Sequence, residues 1–172
     1  TLEPHRPLAS ADLVCRGEGE GAILDLAAMI DMNGSDFSSI ANRWGRRPDG
    51  KPAFENAPRP LISDLDSLPF ADMSSENKYT IDNDILTRNE TAISNFDFLY
   101  EIASSRGCPF ACTYCCNETL HRLYEGQPRV RRRSPEHVAR ELETAGRQHR
   151  VERVNFQDDV FSLQPSWLSD FS

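Results

Sequence analysis

The stretch RGCPFACTYCC, from Arg106 to Cys116, holds four of the five cysteines in this chain of 172 residues. The spacing is C-x3-C-x2-C at Cys108, Cys112 and Cys115, and Cys116 follows directly. Thiols this close in sequence point to a disulfide, a zinc site, a nucleophile or an iron-sulfur cluster. The chain must therefore fold around a short loop that presents several thiols together.

The spacing favours the iron-sulfur cluster among these four chemistries. A disulfide within C-x2-C leaves Cys108 and Cys116 unexplained, and structural zinc usually needs a second cysteine pair or histidines. A nucleophilic cysteine needs one thiol and a base, not three thiols at ligand spacing. Three thiolates on one loop can each bind one iron of a cubane, which leaves the fourth iron open to a small molecule.

Composition limits the partners and the cellular compartment that we expect for this chain. The formal charge is −8, which argues against a nucleic-acid partner because phosphate binding needs clustered basic residues. No apolar run reaches the roughly 18 residues of a membrane span, and the start does not resemble a signal peptide. An odd number of clustered cysteines is typical of metal ligands in a reducing compartment, so we expect a cytoplasmic protein.

The second half of the chain predicts a βαβ unit around the cysteines. FLYEIASS alternates as a strand, with Tyr100 and Ile102 on one side, and VERVNFQDDVF reads as a second strand. Between them, Ser134 is the expected N-cap of a helix that starts at Pro135. We expect these two strands to be parallel neighbours. The buried stripe of the helix is expected to comprise Val138, Leu142 and Ala145.

The first half of the chain is less regular. Leu13–Cys15 predicts a short strand, RGEGEG a turn, and the apolar spacing that follows a helix, as at the end of an α/β layer. A proline-rich stretch comes next, with a turn signal at Pro48-Asp49-Gly50 between two extended pieces. Its apolar anchors predict an ordered connector rather than a disordered linker. They are Trp44, Phe54, Leu61, Leu65, Leu68 and Phe70.

The chain starts at Thr1 and stops soon after a strand-like run, which suggests part of a longer protein. We expect the end of one domain at residues 1–31, a connector at 32–95, and the first part of a second domain at 96–172. The arginines Arg129 and Arg131 to Arg133 are interpreted as a solvated approach to the predicted helix.

The cysteine loop resembles the signature of radical S-adenosylmethionine (SAM) enzymes, with the aromatic Tyr114 before the third cysteine. The resemblance implies that Cys108, Cys112 and Cys115 hold a 4Fe-4S cluster whose open iron chelates SAM. It also implies that residue 114 approaches the adenine through its backbone. The reaction expected is reductive cleavage of SAM to a 5′-deoxyadenosyl radical. Cys116 has no role in the family pattern.

The motifs RGEGE, LDSLPF, SRGCPFACTYC and NFQDDVF occur in an order that resembles the cobalamin-binding branch of this family. The branch implies an α/β fold class: the end of a Rossmann-like cobalamin-binding domain, a connector, and the first βαβ of a partial (βα)6 barrel. It suggests Glu18 and Glu20 as cobalamin contacts and Asp158 and Asp159 as contacts of the SAM amino group.

The resemblance implies methyl transfer, or ring-forming or oxidative chemistry, on a small-molecule substrate such as a tetrapyrrole or another large metabolite. Flavodoxin or ferredoxin would supply the electron. We expect this chain alone to turn over slowly or not at all, because later barrel strands would contact the substrate. Two alternatives stay open: a methylthio-transferring enzyme of the same family, and a non-catalytic metal-binding module.

Overall fold

The computed structural model describes residues 3–47, 51–74, 76–88, 99–148 and 151–172. Contacts divide the chain into two compact units, residues 1–63 with 110–128 and residues 64–109 with 129–172. The first unit therefore takes in most of the cysteine loop and the helix after it. These units cut across the expected divisions at residues 31 and 95, and the domain assignment stays a prediction.

The first unit contains a three-stranded antiparallel sheet. Its strands are β1 (Leu13–Cys15), β2 (Arg43–Arg46) and β3 (Pro52–Glu55), in the order β1-β2-β3. The predicted strand at 13–15 is confirmed, but its partner comes from the expected connector and runs antiparallel to it. Within the described residues, β1 thus belongs to an antiparallel meander rather than to a parallel α/β layer. The predicted turn at 48–50 lies outside the described residues.

Helix α1 (Glu20–Asp31) follows β1, as the sequence predicts. Only Ala22 is buried along it, whereas Ile23, Leu24 and Ile30 are 60%, 69% and 55% exposed. The predicted helix is confirmed, but these three apolar side chains are not buried within the described residues.

The small core of the first unit lies elsewhere. Leu8, Val14 and Trp44 form it, next to a 3-10 helix at Pro7–Ala9. Trp44 therefore serves as one of the predicted anchors of the connector. The other helix of this unit is α2 (Cys116–Leu123), which starts directly after the third cysteine.

The second unit contains the predicted βαβ. Strands β6 (Leu99–Ile102) and β9 (Arg153–Phe156) pair in parallel, and α3 (Pro135–Gln148) lies between them in the chain. Tyr100 and Ile102 are buried with Val138, Ala145 and Trp167, the last from α4 (Pro165–Phe171). The predicted parallel pairing and the buried helix stripe are both confirmed, with Leu142 packing at the edge of this core.

Three shorter features complete the second unit. Strands β7 (Ser105–Arg106) and β8 (Arg131–Arg132) pair antiparallel and flank the cysteine loop in the chain. Strands β4 (Tyr79–Asp82) and β5 (Ile85–Arg88) form a hairpin, with Asn83 and Asp84 at positive φ as in a type I′ turn. Two 3-10 helices lie at Leu65–Ser67 and Phe161–Leu163.

The start of α3 is capped by two side chains. Ser134 is the predicted cap, and its hydroxyl oxygen accepts a hydrogen bond from the His137 N–H at 3.1 Å. Asp66, from the expected connector, accepts from the Ser134 N–H at 3.0 Å. The LDSLPF motif is therefore anchored to the start of α3.

The arginines before α3 are structural rather than solvated, which corrects the expectation for two of them. Arg133 pairs with Glu141 of α3, and their side chains are only 12% and 8% exposed. The Tyr100 hydroxyl donates to the other carboxylate oxygen of Glu141 at 2.7 Å. Burial and then this hydrogen bond raise the pKa of Tyr100 well above its ordinary value. Arg132 lies over the Trp167 ring, 4.9 Å from its centroid.

Candidate metal and cofactor site

Gly107 sets the entry of the chain into the cysteine loop. It has a φ of +88°, a conformation that residues with a side chain rarely adopt. A Cβ at this position would lie 2.1 Å from the Arg129 carbonyl oxygen, so only glycine fits. Strand β7 therefore leads into Cys108 through a turn that is fixed by close backbone packing.

Cys112 and Cys115 are joined by a local turn. The Cys115 N–H donates to the Cys112 carbonyl oxygen at 3.0 Å, and Cys115 is then the N-cap residue of α2. None of the five cysteines, all of which lie among the described residues, is in a disulfide. Cys112 and Cys116 are exposed, while Cys108 and Cys115 are half-buried. The disulfide considered from the C-x2-C spacing is not formed.

Asn117 is a neighbour of the third thiol that sequence reasoning missed. Its side chain is buried, and its Nδ2 donates to the Cys115 sulfur at 3.5 Å. A hydrogen bond to a ligating sulfur orients that ligand and tunes a bound metal centre. The signal available in the sequence was an amide two residues after a predicted ligand, at the start of a helix.

The donor set fits an iron-sulfur cluster by its chemistry. Three soft thiols are unoxidised on one short loop, as thiolate ligation requires. Within the described residues, no three His, Cys, Asp or Glu side chains are arranged to hold a metal ion. The assignment of Cys108, Cys112 and Cys115 stays a prediction.

Tyr114 lies between the second and third of these cysteines. Its side chain is 91% exposed. The charge of Cys112 and a hydrogen bond with it raise the pKa of the Tyr114 hydroxyl above its ordinary value. The ring therefore lies on the exposed side of the loop. The suggested adenine contact through the residue 114 backbone stays a prediction.

Asp158 follows β9 at its carboxyl end and already has protein partners. Its carboxylate accepts from the Ser104 N–H at 2.9 Å, from the Ser104 hydroxyl at 2.7 Å, and from the Ser105 hydroxyl. It therefore ties the end of β9 to the segment after β6. Asp159 is exposed next to it. The structure brings both aspartates to the expected strand end, while their contact with SAM stays a prediction.

Glu18 and Glu20 are both half-buried in the turn between β1 and α1. The Glu18 carboxylate accepts from the Ile62 N–H at 2.8 Å, so it is used inside the first unit. Glu20 is the first residue of α1, where a negative charge favours the helix N-terminus. Their suggested contact with cobalamin stays a prediction.

Comparison with known proteins gives the family. Residues 102–171 match the family model described as the radical SAM superfamily. This stretch includes the three predicted ligands, α3 and β9. No solved structure matches the chain. Within the described residues, no helix is long and apolar enough to cross a membrane.

Two relatives of this chain are longer proteins that it matches over part of their length. It is 29% identical over 161 residues to an uncharacterized methyltransferase of Pyrococcus horikoshii, covering 94% of this chain and 31% of the relative. It is 32% identical over 143 residues to the anaerobic magnesium-protoporphyrin IX monomethyl ester cyclase of Rubrivivax gelatinosus, covering 81% and 22%. The chain thus spans about a third or less of these relatives, and the part of it that belongs to the radical SAM superfamily is residues 102–171.

Proposed function

We propose that Cys108, Cys112 and Cys115 hold a 4Fe-4S cluster with one iron left open for SAM. The observation that carries the proposal is the set of three cysteines, none of them in a disulfide, at C-x3-C-x2-C spacing within the stretch that matches the family. When bound, the cluster supplies the electron that cleaves SAM to a 5′-deoxyadenosyl radical.

The residues around the loop have separate tasks in this proposal. Gly107 lets the chain turn closely past Arg129 and so directs Cys108 out of β7. Asn117 orients the sulfur of Cys115 through its 3.5 Å hydrogen bond. The backbone at Tyr114 lies between two of the ligands in sequence, which supports its assignment to the adenine of SAM.

The two aspartates after β9 have different roles in this proposal, one structural and one in SAM binding. Asp158 holds the segment after β6 through Ser104 and Ser105. Asp159, exposed at the same strand end, is the one we assign to the ammonium group of SAM. A carboxylate suits an ammonium because opposite charges attract more strongly where water is partly excluded.

The reaction after SAM cleavage is proposed from the relatives. One is named a methyltransferase and another a cyclase of a magnesium porphyrin ester. Methyl transfer, or ring-forming or oxidative chemistry, on a tetrapyrrole or another large metabolite is consistent with both names. In the longer protein we propose that cobalamin is a second cofactor and that flavodoxin or ferredoxin is the electron donor.

Anaerobic reconstitution with iron and sulfide tests the cluster directly. We expect about four irons and four sulfides per chain, with the broad charge-transfer absorption of a 4Fe-4S centre. Cys112→Ala should lose this absorption. Cys116→Ala is the matched control, because it removes the adjacent thiol without removing a proposed ligand.

Three further results would test the proposal. Addition of SAM and a strong reductant to the loaded protein should release 5′-deoxyadenosine, at least as a single turnover. Binding of zinc alone, without charge-transfer absorption, would instead support the non-catalytic metal-binding module. Equal cluster loss in Cys112→Ala and Cys116→Ala would contradict the ligand assignment.

A further inference from the structure

The RGEGE turn in the first unit lies directly against the end of helix α2. Gly17 has a φ of +83°, and a Cβ there would lie 1.7 Å from the Tyr124 hydroxyl oxygen. Tyr124 is only 6% exposed, and its hydroxyl accepts a hydrogen bond from the Glu18 N–H at 3.2 Å. Tyr124 therefore fits against this turn only because residue 17 is glycine.

The same turn is joined to the segment around residue 61. The Glu18 carboxylate accepts from the Ile62 N–H at 2.8 Å. The neighbouring Leu61 N–H donates to the side-chain oxygen of Gln127 at 2.7 Å. Residues 61 and 62 thus bond to the turn on one side and to the residues just after α2 on the other.

Buried Asn42 holds the turn from its far side. It is 1% exposed, donates to the Arg16 carbonyl oxygen at 2.9 Å, and accepts from the Arg59 N–H at 3.0 Å. Buried Asn42 therefore uses both its amide nitrogen and its amide oxygen to hold backbone groups on either side, which favours one conformation of the turn.

Helix α2 connects the RGEGE turn to the cysteine loop. It starts at Cys116, with Cys115 as its N-cap residue. Asn117, in its first turn, donates to the Cys115 sulfur, and Cys115 in turn bonds to the Cys112 backbone. Tyr124 is the C-cap residue of the same helix, so α2 links the position of Tyr124 to that of Cys115 through two turns of backbone.

We propose that the Gly17-Glu18 turn and Tyr124 form a positioning device that seats α2 and thereby fixes the Cys112 to Cys115 part of the cluster loop. In this proposal the RGEGE motif contributes to iron-sulfur binding indirectly, because its backbone and side-chain hydrogen bonds hold α2 in place. This inference rests on the proposed function, since it concerns residues that would ligate the cluster.

Three variants of the reconstituted protein test the device. Tyr124→Phe removes the hydroxyl that accepts from Glu18, and Glu18→Ala removes the carboxylate that accepts from Ile62. Both should lose iron to a chelator several-fold faster than the wild type and broaden the EPR spectrum of the reduced cluster. Glu18→Gln should stay close to the wild type, because its amide oxygen can accept the same hydrogen bond.

Tyr79→Phe and Glu55→Ala are the controls, since both residues are exposed. Hydrogen exchange on the metal-free protein gives a second measurement, in which amides of α2 should exchange faster in Tyr124→Phe and Glu18→Ala than in the controls. Wild-type chelation rates, EPR spectra and exchange in both variants would overturn the inference while leaving the cluster intact. A wild-type protein that takes up no iron would overturn the proposed function and, with it, the role of the device in cluster binding.

Discussion

Helices α1 and α3 both follow a short strand, yet they use their apolar side chains differently. In α3, Val138 is fully buried and Ala145 is 3% exposed, within a core built on two parallel strands. In α1, Ile23 and Leu24 are more than half exposed. The two helices also differ at their starts. Ser134 and Asp66 cap α3, whereas the N-cap residue of α1 is Gly19, which has no side chain to form a cap.

The contrast separates helix formation from helix packing. Both patterns have the 3.6-residue period, so both predict a helix. Period alone does not say which strands will cover the apolar face. In α3 the covering strands lie within the described residues, and its stability comes from that burial rather than from propensity. In α1 the apolar face adds little to the stability of this chain.

The largest expected effect is on the buried ion pair beside α3. Arg133→Met should lower the free energy of unfolding by about 3 kcal/mol or more, because the Glu141 charge would stay buried without its partner. Arg147→Met is the control, since the Arg147–Glu143 pair is exposed and should contribute about 0.5 kcal/mol or less. Urea unfolding measures both. Similar losses in the two variants would show that the Arg133 pair is not buried in solution.

The next largest effect is expected from truncating one apolar side chain on each of the two helices. Val138→Ala should cost about 2 kcal/mol of stability, because two methyl groups leave a fully buried site. Ile23→Ala should change stability by less than about 0.5 kcal/mol, because that side chain is 60% exposed. Thermal and urea unfolding of the same two variants check this. A large loss on Ile23→Ala would show that the face of α1 is covered in solution.

The smallest effect is the pH dependence of the α3 cap. Desolvation opposes ionisation of Asp66, but the Ser134 hydrogen bonds and the charges of His137 and Arg133 outweigh it, so the pKa of Asp66 lies below its ordinary value of 3.8. A lowered pKa stabilises the folded state above the unfolded pKa, and this stabilisation disappears as the pH falls through the folded pKa.

The difference in unfolding free energy between the wild type and Asp66→Asn measures that contribution. It should be at most about 1 kcal/mol at neutral pH, since Asp66 is a third exposed, and should shrink as the pH falls below about 4. A difference that stays constant through this range would show that the carboxylate charge is not what caps α3.

Much of the second unit could be read from the sequence. The alternation around Tyr100, the cap at Ser134 and the stripe at Val138 are local signals, and they predicted the parallel pairing of β6 with β9. The thiol spacing likewise indicated the family that residues 102–171 match. These features depend on residues close together in the chain, where spacing and chemistry act directly.

Long-range partners were not readable in the same way. The pairing of β1 with β2 links Val14 to Trp44 across thirty residues without a pattern that selects that strand. Nothing in the arginine run showed that Arg133 would meet Glu141 in a buried pair. The contact of Tyr124 with Gly17 spans over a hundred residues, and it depends on the shape of the turn rather than on composition.

The close approach of Gly107 to the Arg129 carbonyl has a consequence for sequence variation. Saturation mutagenesis across the cysteine loop should find a single permitted amino acid at 107, even where selection acts only on protein abundance. That position would therefore stay invariant in any lineage that preserves this chain path, including descendants that have lost the cysteines.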